Sequence, residues 1–232
     1  MKYLIPPSEG KSKIKGSGIK FEDTDFVYKK HVQDIVTLLE LIDDEDLTSI
    51  YGTSQEKSEA FHRQNQDIFN SSCAYAIERY TGIVYQNLDW ESFSDLEKKF
   101  MNNHFYIFSG LFGMVQPLTL IPNYKLKMNV LSLEHHWKEA LTKTLESEDL
   151  VVDLLPQVHR KAYIPKDNVK KIDFCVIKKG KKAAAGHFGK AVKGQLIKYI
   201  VTNQITSIDE FDKFNFDGFK WDGEVFIKEQ SS

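Results

Sequence analysis

The chain has 232 residues and a formal net charge of −2, with 41% hydrophobic and 28% charged residues. These values fit a soluble globular protein, and one domain over residues 1–232 is the expectation. They exclude collagen-like and disordered chains, and no apolar run approaches the roughly 18–20 residues that span a bilayer.

The opening MKYLIPPSEGK lacks the pattern of a secretory signal. Cys73 and Cys175 both stand in apolar segments, so free thiols in a reduced, cytoplasmic setting are expected. The near-zero net charge conceals segregation. Residues 155–200 hold twelve Lys/Arg against two acids, whereas residues 31–60 hold one Lys against eight Asp/Glu. A basic face that attracts polyanions is compatible with that distribution.

Lys2–Ile5 reads as a short strand stopped by Pro6-Pro7. A loop with Lys11, Lys13 and Lys15 among three glycines follows, a layout that suits an anion. Residues 25–42 carry apolar side chains at spacings of three and four and predict a helix. A short helix ending at Gly52 and a longer one opened by Thr53-Ser54 come next. A further helix is expected around Ala74 to Tyr80, Thr81–Tyr85 reads as a strand, and Ser92–Asn103 reads as a helix.

Residues 105–108 are apolar and β-prone, and break at Ser109-Gly110, with Gly113 closing a tight turn. Tyr124, Lys125 and Lys127 follow two prolines. Leu133–Leu145 predicts a helix, on which the adjacent His135 and His136 lack the i, i+4 spacing of metal ligands. Leu150–Leu155 reads as a central strand with an internal acid, Asp153. Val169–Ile177 and Ala183–His187 flank a four-lysine turn as a hairpin, and Phe219–Phe226 forms another around Asp222-Gly223.

In Gly186–Gln195, Lys190 and Lys193 share one face of a helix expected to start after Gly189, where free N–H groups favour phosphate. Gly189 and Gly194 enclose four residues, but Gln195 and Leu196 replace the Lys and Ser/Thr of a nucleotide-binding P-loop. No resident cofactor and no metal cluster is indicated. The fold expected is α+β, or mixed α/β, with a mixed sheet, surrounding helices and β-hairpins.

Five segments resemble one family. Ser109-Gly110-Leu111-Phe112-Gly113 with Pro117, followed by Pro122-Asn123-Tyr124-Lys125-Leu126, is similar to the hallmark of the YaaA family of peroxide-stress proteins. Ile5-Pro6-Pro7-Ser8-Glu9-Gly10-Lys11 resembles an N-terminal signature of that family, and Gly82–Tyr85 resembles another segment in part. Leu150–Leu155, with Asp153, resembles a fourth, and His187-Phe188-Gly189-Lys190 through Lys193-Gly194 resembles a fifth. The resemblance implies a cytoplasmic protein that limits iron-dependent oxidative damage and binds DNA through a basic cleft beside a helix-hairpin-helix element.

Lys11, Ser109, Gly110, Gly113, Tyr124 and Lys125 are the first candidate nucleic-acid or anion contacts, joined by Lys190, Lys193 and Gly194. Gly110–Gly113 is the candidate position for the helix-hairpin-helix turn. DNA is the expected partner, read by phosphate and shape, with no membrane contact. The alternative is an enzyme acting on a small anionic or nucleotide-like substrate in the same cleft, with His187 or Tyr124 as acid or base.

Overall fold

The structure is a computed structural model that describes residues 1–178 and 180–229, with the side chain of His187 outside the description. Lys179, within the four-lysine turn, therefore lies outside the described residues. Strand β1 (Lys2–Ile5) leads through an irregular loop to helices α1 (Lys29–Glu40), α2 (Leu47–Tyr51) and α3 (Gln55–Gln66). Next come β2 (Cys73–Tyr75), α4 (Ala76–Arg79), α5 (Ile83–Leu88) and α6 (Asp95–His104). Strands β3 (Phe105–Ser109), β4 (Gly113–Val115) and β5 (Leu120–Pro122) precede α7 (Leu133–Glu146), β6 (Val151–Asp153) and α8 (Gln157–Arg160). Then follow β7 (Val169–Lys171), β8 (Phe174–Lys178), β9 (Lys181–Ala184), α9 (Gly186–Thr202), β10 (Lys220–Trp221) and β11 (Phe226–Glu229).

This is an α+β fold built on mixed sheets. The main sheet runs β4-β3-β1-β6-β7, with β3, β1, β6 and β7 parallel and β4 antiparallel at one edge. A second sheet runs β10-β11-β8-β9, and β2 pairs with β5. β1 is central because Tyr3, Leu4 and Ile5 are all fully buried, the continuous apolar run that a strand covered on both faces requires.

Amphipathic helices cover the sheets. α1 buries Val32, Ile35, Val36 and Leu39, and α7 buries Leu133, Trp137, Leu141 and Leu145, at helical spacing. α6 starts with a reciprocal cap between Ser94 and Glu97. The internal acid of β6 is fully satisfied: Asp153 accepts from Leu155 N at 2.7 Å, Arg160 Nε at 3.0 Å and Tyr163 Oη at 2.6 Å.

Four expectations change. Thr81–Tyr85 is not a strand: Gly82, at φ 95°, starts α5, whose Val84, Tyr85 and Leu88 bury in helical spacing. The segment from Ala74 divides into β2 and the short α4. α9 begins at Gly186, so Lys190 and Lys193 stand beyond its first turn and away from its free N–H groups. The Gly110–Gly113 turn joins strands β3 and β4, so it is a β-hairpin turn and no helix-hairpin-helix can form there. No helix among the described residues is long and apolar enough to cross a membrane.

Candidate anion-binding site

Parallel strands β3, β1 and β6 all end on the same side of the main sheet, and the loops leaving them build a crevice. Open parallel sheets bind ligands outside the carboxyl ends of their strands. Here the β1 loop contributes Pro7, Ser8, Glu9 and Lys11, the β3 turn Gly110, and the β6 loop Pro156, Val158 and His159. Two lobes share the wall formed by Pro7, Ser8, Glu9, Val158 and His159: a small one of about 120 Å³ and a cleft of about 1020 Å³.

Lys11 lies in the small lobe. Its ammonium donates to Ser8 O at 2.8 Å and sits 4.3 Å from the Tyr124 ring centre and 5.0 Å from that of Tyr80. Burial, helped by the positive charge of Lys125, lowers its pKa to about 7, against the opposing pull of Glu9. The two tyrosines are tied by a 2.9 Å contact between their hydroxyls, and Ser109 Oγ donates to Tyr124 Oη at 2.8 Å. Tyr85 stacks on Tyr80 and donates to Pro6 O at 2.7 Å, which fixes the strand end. At the mouth, Glu9 bridges Lys127 at 3.1 Å and Lys125 at 3.8 Å.

The larger cleft carries Lys190 and Lys193 from α9, Lys182 from β9, and the Cys175 side of β8. Lys193 donates to Leu154 O and lies 5.6 Å from the Phe174 ring centre. Burial and then Arg160 depress its pKa to about 8. His159, which faces both lobes, is pushed down to about 4 by burial and by Lys193, so its imidazole is neutral at pH 7. Among the described residues its buried Nδ1 has no hydrogen-bond partner.

The family description Peroxide stress protein YaaA matches residues 1–225. The chain belongs to that family. Among its curated relatives is a UPF0246 protein of Streptococcus agalactiae serotype V, 28% identical, covering 87% of this chain and 89% of the relative. One from Streptococcus pneumoniae serotype 4 is 25% identical over 99% and 100%, and one from Finegoldia magna is 26% identical over 95% and 92%.

The segments that resemble YaaA proteins divide between lining the site and supporting it. Lys11, Gly110, Tyr124 and Lys125 line the small lobe, and Lys190 and Lys193 line the larger cleft. They fall in adjoining lobes rather than a single pocket. Ser109, Gly113 and Gly194 line neither lobe. Ser109 is fully buried and braces the turn by accepting from Phe112 N at 2.9 Å. Gly194 packs α9 on α5, where a Cβ would meet Val84 O at 2.4 Å. His187 stands in the first turn of α9.

Sequence reading missed Glu9, Tyr80 and His159. Tyr80 stands between Arg79 and Gly82, and His159 precedes Arg160 and Lys161, but nothing in those neighbours marks either side chain, and only the fold brings them to the site. Glu9 lies inside the N-terminal signature, and its position beside the lysines was the available signal.

A helical hairpin adjoins the small lobe of this YaaA-family chain. α2 ends at Gly52, at φ 65°, and after Thr53-Ser54 the chain turns into α3, where fully buried Ser58 allows close packing. Asn65 of α3 donates to Lys125 O at 2.8 Å and accepts from Lys125 N at 3.2 Å, fixing the segment that carries Lys125 and Lys127. Sequence alone places no helix-hairpin-helix here, because the turn reads Gly-Thr-Ser without the usual Gly-hydrophobic-Gly.

Proposed function

We propose that this protein is a cytoplasmic member of the peroxide stress response that binds DNA through the basic crevice and so limits iron-dependent damage. The observation that carries the reading is the gathering of Lys11, Lys125, Lys127, Lys190 and Lys193 around two adjoining concavities at the strand ends. Cations drawn from distant segments repel one another, and a polyanion offsets that cost. The helical hairpin of α2 and α3 supports the same reading, because its turn at Gly52 lies beside the Lys127 ammonium and so adds a backbone surface next to a cation. Family membership supports the stress role.

Binding of a labelled duplex measured across salt concentration tests this. Log affinity should fall linearly with log salt, by about 0.9 per phosphate neutralised. Lys190→Ala with Lys193→Ala should reduce both affinity and slope. Salt-independent binding, or unchanged binding by that double variant, overturns the reading.

A second reading concerns the small lobe, which is too narrow for a duplex yet holds Lys11 and His159. It would take a small anionic ligand, with the larger cleft as its approach.

A further inference from the structure

We propose that the small lobe captures a small carbonyl compound bearing a carboxylate or phosphate, through an imine on the Lys11 side chain. The proposal rests on the reading of that lobe as a small-anion site and adds its chemistry.

The placement of the amine is the first argument. Lys11 extends from the loop after β1, and its nitrogen is fixed by one carbonyl and two tyrosine rings. Among the described residues it has no carboxylate partner, since Glu9 is held by Lys125 and Lys127 instead. A lysine serving only solubility would extend into water, and one serving only packing would leave no space at its tip. This one is held at the wall of a lobe of about 120 Å³.

Reactivity is the second argument. Only the neutral amine attacks a carbonyl, and desolvated lysines near another cation are the usual source of one. Burial and Lys125 favour the neutral form; Glu9 and the ring faces of Tyr80 and Tyr124 favour the ammonium. The balance, at about 7, leaves both forms populated at neutral pH.

The rest of the lobe supplies what the reaction needs. Lys125, Lys127 and Asn129 line it beside Glu9, and because two ammonium groups share that one carboxylate, positive charge and hydrogen bonds remain for an anionic group. His159, neutral and with no partner for Nδ1 among the described residues, can accept a hydrogen bond from the carbinolamine hydroxyl. The lobe is small beside the adjoining cleft, and a glyoxylate-sized oxo acid suits it.

The step balances without oxidant or reductant. The Lys11 nitrogen lone pair adds to the carbonyl carbon as the carbonyl π bond breaks onto oxygen. A proton passes from nitrogen to that oxygen, giving a carbinolamine. The hydroxyl leaves with a proton as water, and the carbon–nitrogen double bond forms; hydrolysis reverses each step.

Glyoxylate with cyanoborohydride tests this on the full chain, read by peptide mass spectrometry. The expected result is a reduced adduct at Lys11 that saturates with glyoxylate and exceeds labelling at exposed Lys30 by at least about tenfold at pH 7. Its rate should rise through the neutral range, and oxalate should protect it. Equal labelling of Lys11 and Lys30 overturns the proposal, and this comparison within the wild-type protein stands even where Lys11→Arg fails to fold. If oxalate raises the melting temperature yet no Lys11 adduct forms, the imine is wrong and the anion site survives. If oxalate neither binds nor protects and no adduct forms, both readings fall.

Discussion

The indole nitrogen of Trp137 donates to Gly110 O at 2.8 Å, so a residue of α7 holds the floor of the crevice in place. The same indole leaves no room beyond Gly113, where a Cβ would stand 2.6 Å from a ring carbon. Gly110 is as confined, since a Cβ there would stand 2.6 Å from Leu126 O. Glycine is thus required at two places for space and at Gly113, with φ 68°, for conformation as well.

Gly113→Ala should therefore cost about 2–5 kcal/mol, from left-handed strain together with overpacking. Trp137→Phe should cost about 1–3 kcal/mol, mostly through the orphaned Gly110 carbonyl. Urea unfolding measures both, and a neutral Gly113→Ala would contradict the described turn.

His159 gives a pH dependence. Its pKa is depressed from 6.5 to about 4 in the folded state, so between those values the unfolded chain binds more protons. Stability from this group is complete above 6.5 and lost as pH falls toward 4, by at most about 3 kcal/mol. His159→Gln should flatten the stability profile in that window. An unchanged profile would show that the imidazole titrates normally.

The cysteines differ in access. Cys73 is buried, and burial pushes its thiol up to about 11; Cys175 is half-buried and lines the larger cleft. A thiol reagent on native protein should react slowly at Cys175 and spare Cys73, while denaturation should release both without reductant. Reaction at Cys73 first would contradict the packing around β2.

Arg160 holds Asp153 at 3.0 Å and Asp173 at 2.9 Å. Arg160→Leu would leave Asp153 buried without its cation, a loss of about 3–5 kcal/mol in thermal or urea unfolding. Asp153→Asn added to it should restore part of that loss. A double variant no better than the single one would mean the pair is not what sets the cost.

Long periodic segments were legible in the sequence. Leu133, Trp137, Leu141 and Leu145 repeat at helical spacing, and the apolar, β-prone run at Phe105–Phe108 read as the strand it forms. Ile83–Tyr85 was misleading because a β-branched pair and a tyrosine favour strand locally, whereas packing against α9 decides for a helix. At the site, lysines beside glycines could be read directly. The neutrality of His159 and the tyrosine clamp on Lys11 could not, because both depend on burial created by segments far apart in the chain.

The central place of β1 has a consequence for how the protein is made. Its two neighbours, at Phe105–Ile107 and Val151–Asp153, are translated long after it. Until they emerge from the ribosome, Tyr3, Leu4 and Ile5 have no sheet to join, and closing such distant pairs is slow. The nascent chain must therefore carry an apolar, unpaired strand through most of synthesis, so chaperone dependence and co-translational aggregation should respond more to changes at Tyr3–Ile5 than to equally buried changes in α9.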